Sequence, residues 1–160
     1  MVVDHDVETY TVGLDREMDL YLAPYDVLGS MAHITMLESI GLLGKDELSA
    51  LLAELKKIYH EAANGKFVIE EGVEDVHSQV ELMLTRSLGD IGMKIHSGRS
   101  RNDQVMVDLK LFMRSEIEAV ALTTEKLFQT LIAQSNKYKD VLIPGYTHIQ
   151  VAMPSSFVRW

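Results

Sequence analysis

The stretch from Asn102 to Lys137 constrains this sequence most, because it contains no glycine and no proline. An α-helix rises 1.5 Å per residue, so a helix of roughly 36 residues would be roughly 54 Å long. That is about three times the average length in globular proteins, and such a helix needs neighbours along its whole length. The apolar residues that could face those neighbours are Leu109, Phe112, Met113, Val120, Leu127, Phe128 and Leu131. The stretch therefore predicts one long helix of a helical bundle.

Three shorter helices are predicted upstream, because apolar residues recur there at the i, i+3, i+4, i+7 spacing of one helical face. They cover residues 26–40, 48–62 and 74–88. Gly41, the pair Asn64-Gly65 and Gly89 follow these stretches, and glycine commonly ends a helix. We expect an arm with a short helix before Pro24, and a glycine-punctuated loop from Gly89 to Gly98.

These patterns together predict an all-α chain with two parts. Residues 1–100 would form an N-terminal helical domain, and residues 101–160 the start of an incomplete bundle. After a turn at Ile143-Pro144-Gly145, Pro154 is expected to open another helix, with Ser155 and Ser156 in its first turn. Because the sequence stops soon afterwards, we expect it to be a piece of a longer protein.

The composition excludes several classes of function. Asp and Glu number 24 against 15 Lys and Arg, giving a net charge of −9, which disfavours a nucleic-acid or anionic-membrane binder. The sequence has no cysteine, so disulfides, thiolate metal sites and cysteine nucleophiles are absent, which fits a reducing cytoplasm. It shows no secretory signal, no apolar run of about 20 residues, and no recognised metal or cofactor motif.

The segment His96–Gln104 is the first candidate for chemistry. It lies where a glycine loop meets the start of the long helix, and helix N-termini present unpaired N–H groups to anions. Its two arginines, two serines and asparagine add donors suited to a carboxylate or phosphate. From the pattern alone, an ordinary polar loop capped by Asn102 or Asp103 is the favoured alternative.

The segment Gly145–Gln150 is the second candidate. It places His148 between Thr147 and Ile149 in a glycine turn, and a histidine can transfer protons near neutral pH. Taken alone, a loop histidine bonded to backbone is the favoured interpretation.

The third segment, Glu74–His77, places Asp75 and His77 where a helix is predicted to begin. Either side chain could orient a substrate. Acidic capping of the helix start is the favoured interpretation from this segment alone.

Taken in order, these segments resemble argininosuccinate lyase, a family of the fumarase/aspartase superfamily. The resemblance is carried by Ser97–Gln104 and, about 40 residues later, Gly145–Gln150, with Asp26–Ser30 and Glu74–His77 upstream. It covers nearly the whole chain from about Asp15. Tyr146 and the run from Arg99 to Asn102 point to the argininosuccinate branch, since fumarases and aspartases usually carry arginine before the Thr-His pair.

The resemblance implies a helical enzyme that reversibly eliminates fumarate from argininosuccinate to give arginine, with no cofactor. It implies that His148 belongs to a proton relay. The implied substrate-binding residues are Arg101, Asn102, Thr147, Ser100, Asp75, His77, Asp19 and Gln150. It also implies a cytoplasmic homotetramer around a bundle of long helices, in which three subunits build each active site.

The resemblance also implies what the chain lacks. The family's serine-bearing mobile loop, Gly-Ser-Ser-x-Met-Pro-x-Lys-x-Asn, would lie beyond residue 160, so these 160 residues alone are expected to be inactive. Asp15 stands where many members have a serine that contacts substrate. Other functions stay open: a structural protein like the lens delta-crystallins, another fumarate-releasing enzyme such as adenylosuccinate lyase, or a free-standing helical binding module.

Overall fold

The computed structural model describes residues 5–159, and the predicted mainly helical chain is confirmed. The helices are α1 (His5–Val12), α2 (Asp15–Asp19), α3 (Ala23–Ser39), α4 (Lys45–Ala63), α5 (Val76–Leu88), α6 (Asp90–Met93) and α7 (Arg101–Lys137). Two strands, β1 (Leu142–Thr147) and β2 (Gln150–Ser156), and 3₁₀ turns at Lys94–His96 and Phe157–Arg159 complete the list. The chain divides into two compact units, Met1–Arg114 and Ser115–Trp160. The domain boundary at residue 100 stays a prediction.

The first unit has a core built from one face each of α3, α4 and α5. Its buried apolar residues fall on the predicted helical faces: Val27, Ile34 and Leu37; Leu51, Leu55 and Ile58; Val76, Val80 and Leu84. Removing one such side chain from water contributes about 1.5–3 kcal/mol, far more than intrinsic helix propensity does. The three predicted upstream helices are therefore confirmed, and their packing is what fixes them.

Single residues set the ends of these helices. Pro24 lies in the first turn of α3, where a missing N–H has no helical partner to lose. Asp75 caps α5 by accepting the N–H of Ser78 at 2.7 Å. Gly89 ends α5 with a φ of 63°, in the left-handed region that glycine adopts without steric cost.

The segment after Gly89 is not the loop that its glycines predict, since it forms α6 and a 3₁₀ turn. The prediction was wrong because Gly92 serves packing rather than turning. A Cβ added to Gly92 would lie 2.5 Å from the backbone carbon of Leu84 and the backbone nitrogen of Thr85. Glycine therefore lets α6 press against the end of α5.

The predicted long helix is confirmed as α7, which contains 37 residues. Its start is capped twice, since the N–H of Ser100 donates to Asp103 Oδ2 at 2.9 Å and the N–H of Asp103 donates to Ser100 Oγ at 3.4 Å. None of the helices within residues 5–159 is both long and apolar enough to cross a membrane.

The second unit exposes much of the apolar surface of α7. Ile117, Val120 and Leu122 are 63%, 64% and 73% exposed, and Leu127, Phe128 and Leu131 are each more than half exposed. Apolar surface of this extent usually marks an interaction face.

The helix predicted to open at Pro154 is the clearest error. Pro154, Ser155 and Ser156 instead end β2, which pairs antiparallel with β1, and Pro154 lies directly opposite Pro144. Proline has a φ near −65°, which suits an outer strand as well as a first helical turn. In a two-stranded ribbon each strand has one free edge, so a proline without an N–H is tolerated there.

Gly92→Ala should lower the free energy of unfolding by about 1–3 kcal/mol, the usual cost of forcing extra volume into a packed contact. The matched control is Gly44→Ala, because the nearest atom to a Cβ added there is Glu47 Oε2 at 3.6 Å. Urea unfolding followed by circular dichroism measures both variants. Equal losses of stability would contradict the packing role of Gly92.

Candidate functional site

The start of α5 gathers the predicted site residues Asp19, Asp75, His77 and Arg101. Asp19 Oδ2 accepts the N–H of Val76 at 3.1 Å, and Asp75 Oδ1 accepts the N–H of Ser78 at 2.7 Å. Two carboxylates thus occupy N–H groups that a helix start leaves without partners. Burial raises the pKa of Asp19, although the N–H of Val76 and the charge of His77 act in the opposite direction.

The guanidinium of Arg101 is held at three points. Its Nε lies 3.3 Å from Asp75 Oδ2, its Nη2 donates to Ser78 Oγ at 3.2 Å, and its Nη1 donates to Gln104 Oε1 at 3.3 Å. The side chain is nevertheless 37% exposed. A guanidinium with fixed orientation and an open side is suited to binding a carboxylate through two parallel hydrogen bonds.

His77 lies one layer deeper, in a cluster with Asp26 of α3 and Asp108 of α7. Its Nδ1 donates to Asp26 Oδ1 at 2.8 Å and lies 3.6 Å from Asp108 Oδ2. The exposed fractions of Asp26, His77 and Asp108 are 1%, 4% and 1%. Gln104 Nε2 donates to the same Asp26 oxygen at 3.4 Å, so α7 reaches the cluster through two side chains.

Two pKa values in the cluster move upward. Burial alone lowers the pKa of His77, but the hydrogen bond to Asp26 and the charges of Asp26, Asp75 and Asp108 raise it overall. Burial, reinforced by the charge of Asp26, raises the pKa of Asp108 to about 7, although His77 and Arg99 oppose this. The folded cluster therefore retains protons near neutral pH.

The ligand-type atoms of Asp26, His77 and Asp108 lie within 4.8 Å of one another, a spacing that a metal ion could bridge. Nδ1 of His77 lies 2.8 Å from Asp26 Oδ1, so a metal bound at Nδ1 would have to displace the proton of this hydrogen bond. The positive charge of Arg99 also acts on both carboxylates. The arrangement fits a bound proton better than a bound cation.

Arg99 lies between α3 and the start of α7. Its Nη2 donates to Ser30 Oγ at 3.0 Å, and burial lowers the pKa of its guanidinium despite the charges of Asp26 and Asp108. Beside it, Gly29 lets the two helices approach, since an added Cβ would lie 3.2 Å from Val107 Cγ1 and 3.4 Å from Asp108 Oδ1. A cavity of about 290 Å³ there is lined by Gly29, Ala32, His33, Met36, Arg99, Asp103, Gln104, Val107 and Asp108.

Ser100 and Asn102 flank Arg101 and are exposed. Ser100 and Asp103 cap the start of α7 by bonding each other's N–H group. The residues that cap this helix therefore belong to the same segment as the predicted binding residues Ser100, Arg101 and Asn102. The capping alternative and the binding interpretation are therefore compatible.

The remaining predicted residues, Thr147, His148 and Gln150, lie in the second unit at the tip of the hairpin. Thr147 pairs with Gln150, and the two residues between them have φ of 49° at His148 and 64° at Ile149. Two consecutive positive φ angles define a type I′ turn. All three side chains are exposed, so the turn presents the imidazole of His148 outward between a hydroxyl and an amide.

The sequence predicts no site role for Asp26, Asp108 or Ser78, and it includes Gln104 only as the end of the segment His96–Gln104. A signal for them exists: Gln104 and Asp108 are four residues apart on one face of α7, and Asp26 precedes the buried stripe of α3. Polar residues on a core-facing stripe are informative, because a buried charge requires partners. Sequence alone could not name those partners.

The chain is similar to known lyases along nearly its whole length. The sequence profile of a lyase family matches residues 8–160. The chain is 73% identical to an argininosuccinate lyase of Parabacteroides distasonis and 72% to one of Phocaeicola vulgatus, each over 99% of this chain and 35% of the relative. A more distant relative of the same name, from Methylococcus capsulatus, is 42% identical over 96% of this chain and 33% of its own length. The chain thus spans about 35% of the length of the first two of these relatives.

Asp75→Ala should lower the free energy of unfolding by about 1 kcal/mol, because it removes the cap of α5 together with the ion pair to Arg101. Asp75→Ser is the matched control, since serine keeps a capping oxygen and loses the charge. It should recover most of the stability in urea unfolding. If serine were as destabilising as alanine, the ion pair and not the cap would be what stabilises α5.

Proposed function

The chain belongs to the lyase family whose profile matches residues 8–160. We propose that it is part of an argininosuccinate lyase, which eliminates fumarate from argininosuccinate and releases arginine. The observation that carries the proposal is the near-complete match of this chain to relatives of that name. The two ordered motifs Ser97–Gln104 and Gly145–Gln150 support the same branch of the family. The activity belongs to the complete protein.

The geometry around Arg101 suits the chemistry of this elimination. Removing a proton beside a carboxylate of the succinyl part spreads negative charge onto that carboxylate. Donors fixed in advance where the charge develops lower the barrier, because they need not reorganise during the reaction. Arg101, fixed by Asp75 and Ser78 and open on one side, is such a donor, and Asn102 and Ser100 add neighbouring polar groups.

We assign His148 to a proton relay and Thr147 and Gln150 to substrate contacts. An exposed imidazole can exchange protons near neutral pH, and its flanking hydroxyl and amide can hydrogen-bond a carboxylate. The proton that leaves the succinyl carbon and the proton that reaches the departing guanidinium nitrogen balance the reaction. Asp19 and Asp75 offer negative charge for the cationic part of the substrate.

A homotetramer in the cytoplasm completes the proposal, with residues 1–100 as the helical domain and residues 101–160 as the start of the central bundle. The exposed apolar residues of α7, among them Val120, Leu122 and Phe128, support burial against other long helices. A cavity of about 460 Å³ in the second unit, lined partly by Phe128, Leu131 and Phe157, supports the same expectation.

The complete natural protein should release fumarate from argininosuccinate and should not act on adenylosuccinate. The rate of fumarate release from each substrate, followed by ultraviolet absorbance, measures this. Activity on adenylosuccinate alone would assign the chain to the other branch. A folded tetramer without activity on either substrate would favour a structural protein like the delta-crystallins.

Arg101→Ala and His148→Ala should each lower kcat/KM of the complete protein by about 10²-fold or more, the usual loss on removing an oriented donor or proton-transfer group. The matched controls are Arg86→Ala, whose exposed ion pair is with Glu70, and His60→Ala, which removes an exposed histidine of α4. Both controls should retain near wild-type rates. Wild-type rates in Arg101→Ala or His148→Ala would remove the role assigned to that residue.

A further inference from the structure

The resemblance implies that His77 binds substrate, but its side chain is buried in a cluster with Asp26 and Asp108, and the proposed chemistry gives this cluster no role. It draws one side chain from each of α3, α5 and α7, and each of these side chains is less than 5% exposed. Asp26 Oδ2 and Asp108 Oδ2 are buried and lack a hydrogen-bond partner among residues 5–159. Groups of this kind are costly to bury, so their persistence calls for a compensating charge.

The charges of the cluster cancel when Asp26, His77 and Asp108 together hold one proton beyond that of the neutral imidazole. That proton can lie on His77 with both carboxylates ionised, or on Asp108, whose pKa is raised to about 7, beside a neutral ring. With Asp26 and Asp108 ionised, Arg99 and a doubly protonated His77 supply two positive charges against two negative ones. Losing the second proton of His77 leaves one net negative charge in a region that water barely reaches. The contacts that raise the pKa of His77 are those that favour the balanced state.

The location of His77 links this balance to the surface above it. His77 lies between Val76, whose N–H is bound by Asp19, and Ser78, whose hydroxyl accepts from Arg101. On the other side, Gln104 bonds both Asp26 and Arg101. A shift of the Asp26 carboxylate would therefore reach Arg101 through Gln104 alone.

We propose that the proton on His77 balances the buried charges of Asp26 and Asp108, and that this balance holds the first turns of α5 and α7 in the geometry that fixes Arg101. Asp26, His77 and Asp108 are then positioning residues, since the ring is buried and acts through its charge. The inference rests on the proposed lyase function for its activity assay. The other charged groups near the cluster are Asp19, Asp75, Arg99 and Arg101, and Glu81 acts on Arg99.

Charge compensation tests the proposal in the complete protein. His77→Gln keeps a donor for Asp26 and removes the positive charge, so kcat/KM should fall by about tenfold or more, because a buried charge loses its partner. Asp108→Asn in the His77→Gln background removes the excess negative charge and should restore most of that loss. Asp46→Asn in the same background, which removes an exposed carboxylate of α4, should restore nothing. Absence of rescue by Asp108→Asn would overturn the proposal.

The pH profile of kcat/KM gives a readout that a purely steric role would not move. The kcat/KM of the wild-type protein should fall at alkaline pH, because His77 then loses its proton. In Asp108→Asn this fall should be smaller, because the cluster carries one negative charge fewer. An unchanged alkaline fall in Asp108→Asn would contradict the charge balance. If a chelator changes the pH at which kcat/KM falls, a bound metal ion and not a proton balances the two carboxylates, and the proposal is overturned.

Thermal unfolding separates failure of this inference from failure of the proposed function. The pKa of His77 is raised in the folded state, so its stabilising contribution is full below about pH 6.5, the ordinary histidine value, and is lost as pH rises through the folded value. His77→Gln should lower the unfolding midpoint and Asp108→Asn should restore it, whichever substrate the protein uses. If the complete wild-type protein releases no fumarate but Asp108→Asn restores the unfolding midpoint of His77→Gln, only the lyase assignment is contradicted. If Asp108→Asn does not restore the unfolding midpoint of His77→Gln, the proposed charge balance is contradicted.

Discussion

A hydrogen bond of 2.8 Å from His77 Nδ1 to Asp26 Oδ1 joins α5 to α3 inside the core of the first unit. The apolar faces of α3, α4 and α5 bring these helices together, but apolar contacts have no direction and leave the rotation of each helix loosely set. A charged hydrogen bond with one acceptor sets that rotation. The surface that carries Asp19, Asp75 and Arg101 follows from it, because these side chains hold the neighbouring backbone and side-chain groups of the same helical turn.

The same turn is used twice, once for stability and once for binding. Asp75 accepts a hydrogen bond at the start of α5 and also orients Arg101. Ser78 donates its N–H to Asp75, and its hydroxyl accepts a hydrogen bond from Arg101. Side chains with two such duties are held rigidly, since moving one would expose an unpaired helix start. Rigid donors are what electrostatic stabilisation of a developing carboxylate charge requires.

The helices were predictable because their signals are local. Leu51, Leu55 and Ile58 recur at intervals of four and three residues, and the absence of glycine and proline from Asn102 to Lys137 can be read without knowing any packing partner. Asp26 and Asp108 lie 82 positions apart, and their pairing through His77 depends on packing that no local pattern contains. The prediction of a helix at Pro154 was wrong for another reason. The backbone preference of proline suits both a helix start and an edge strand, and pairing with β1 determines that this segment is a strand.

Gly29 carries no functional group, yet its lack of a side chain lets α3 lie close to Val107 and Asp108 of α7. Asp108 Oδ1 is among the atoms that an added methyl group would meet, at 3.4 Å. The distance between α3 and α7 at Gly29 thus affects where the carboxylate of Asp108 lies relative to His77. A side chain at Gly29 would therefore require Val107 to shift, and any accompanying shift of Asp108 would change its distance from His77.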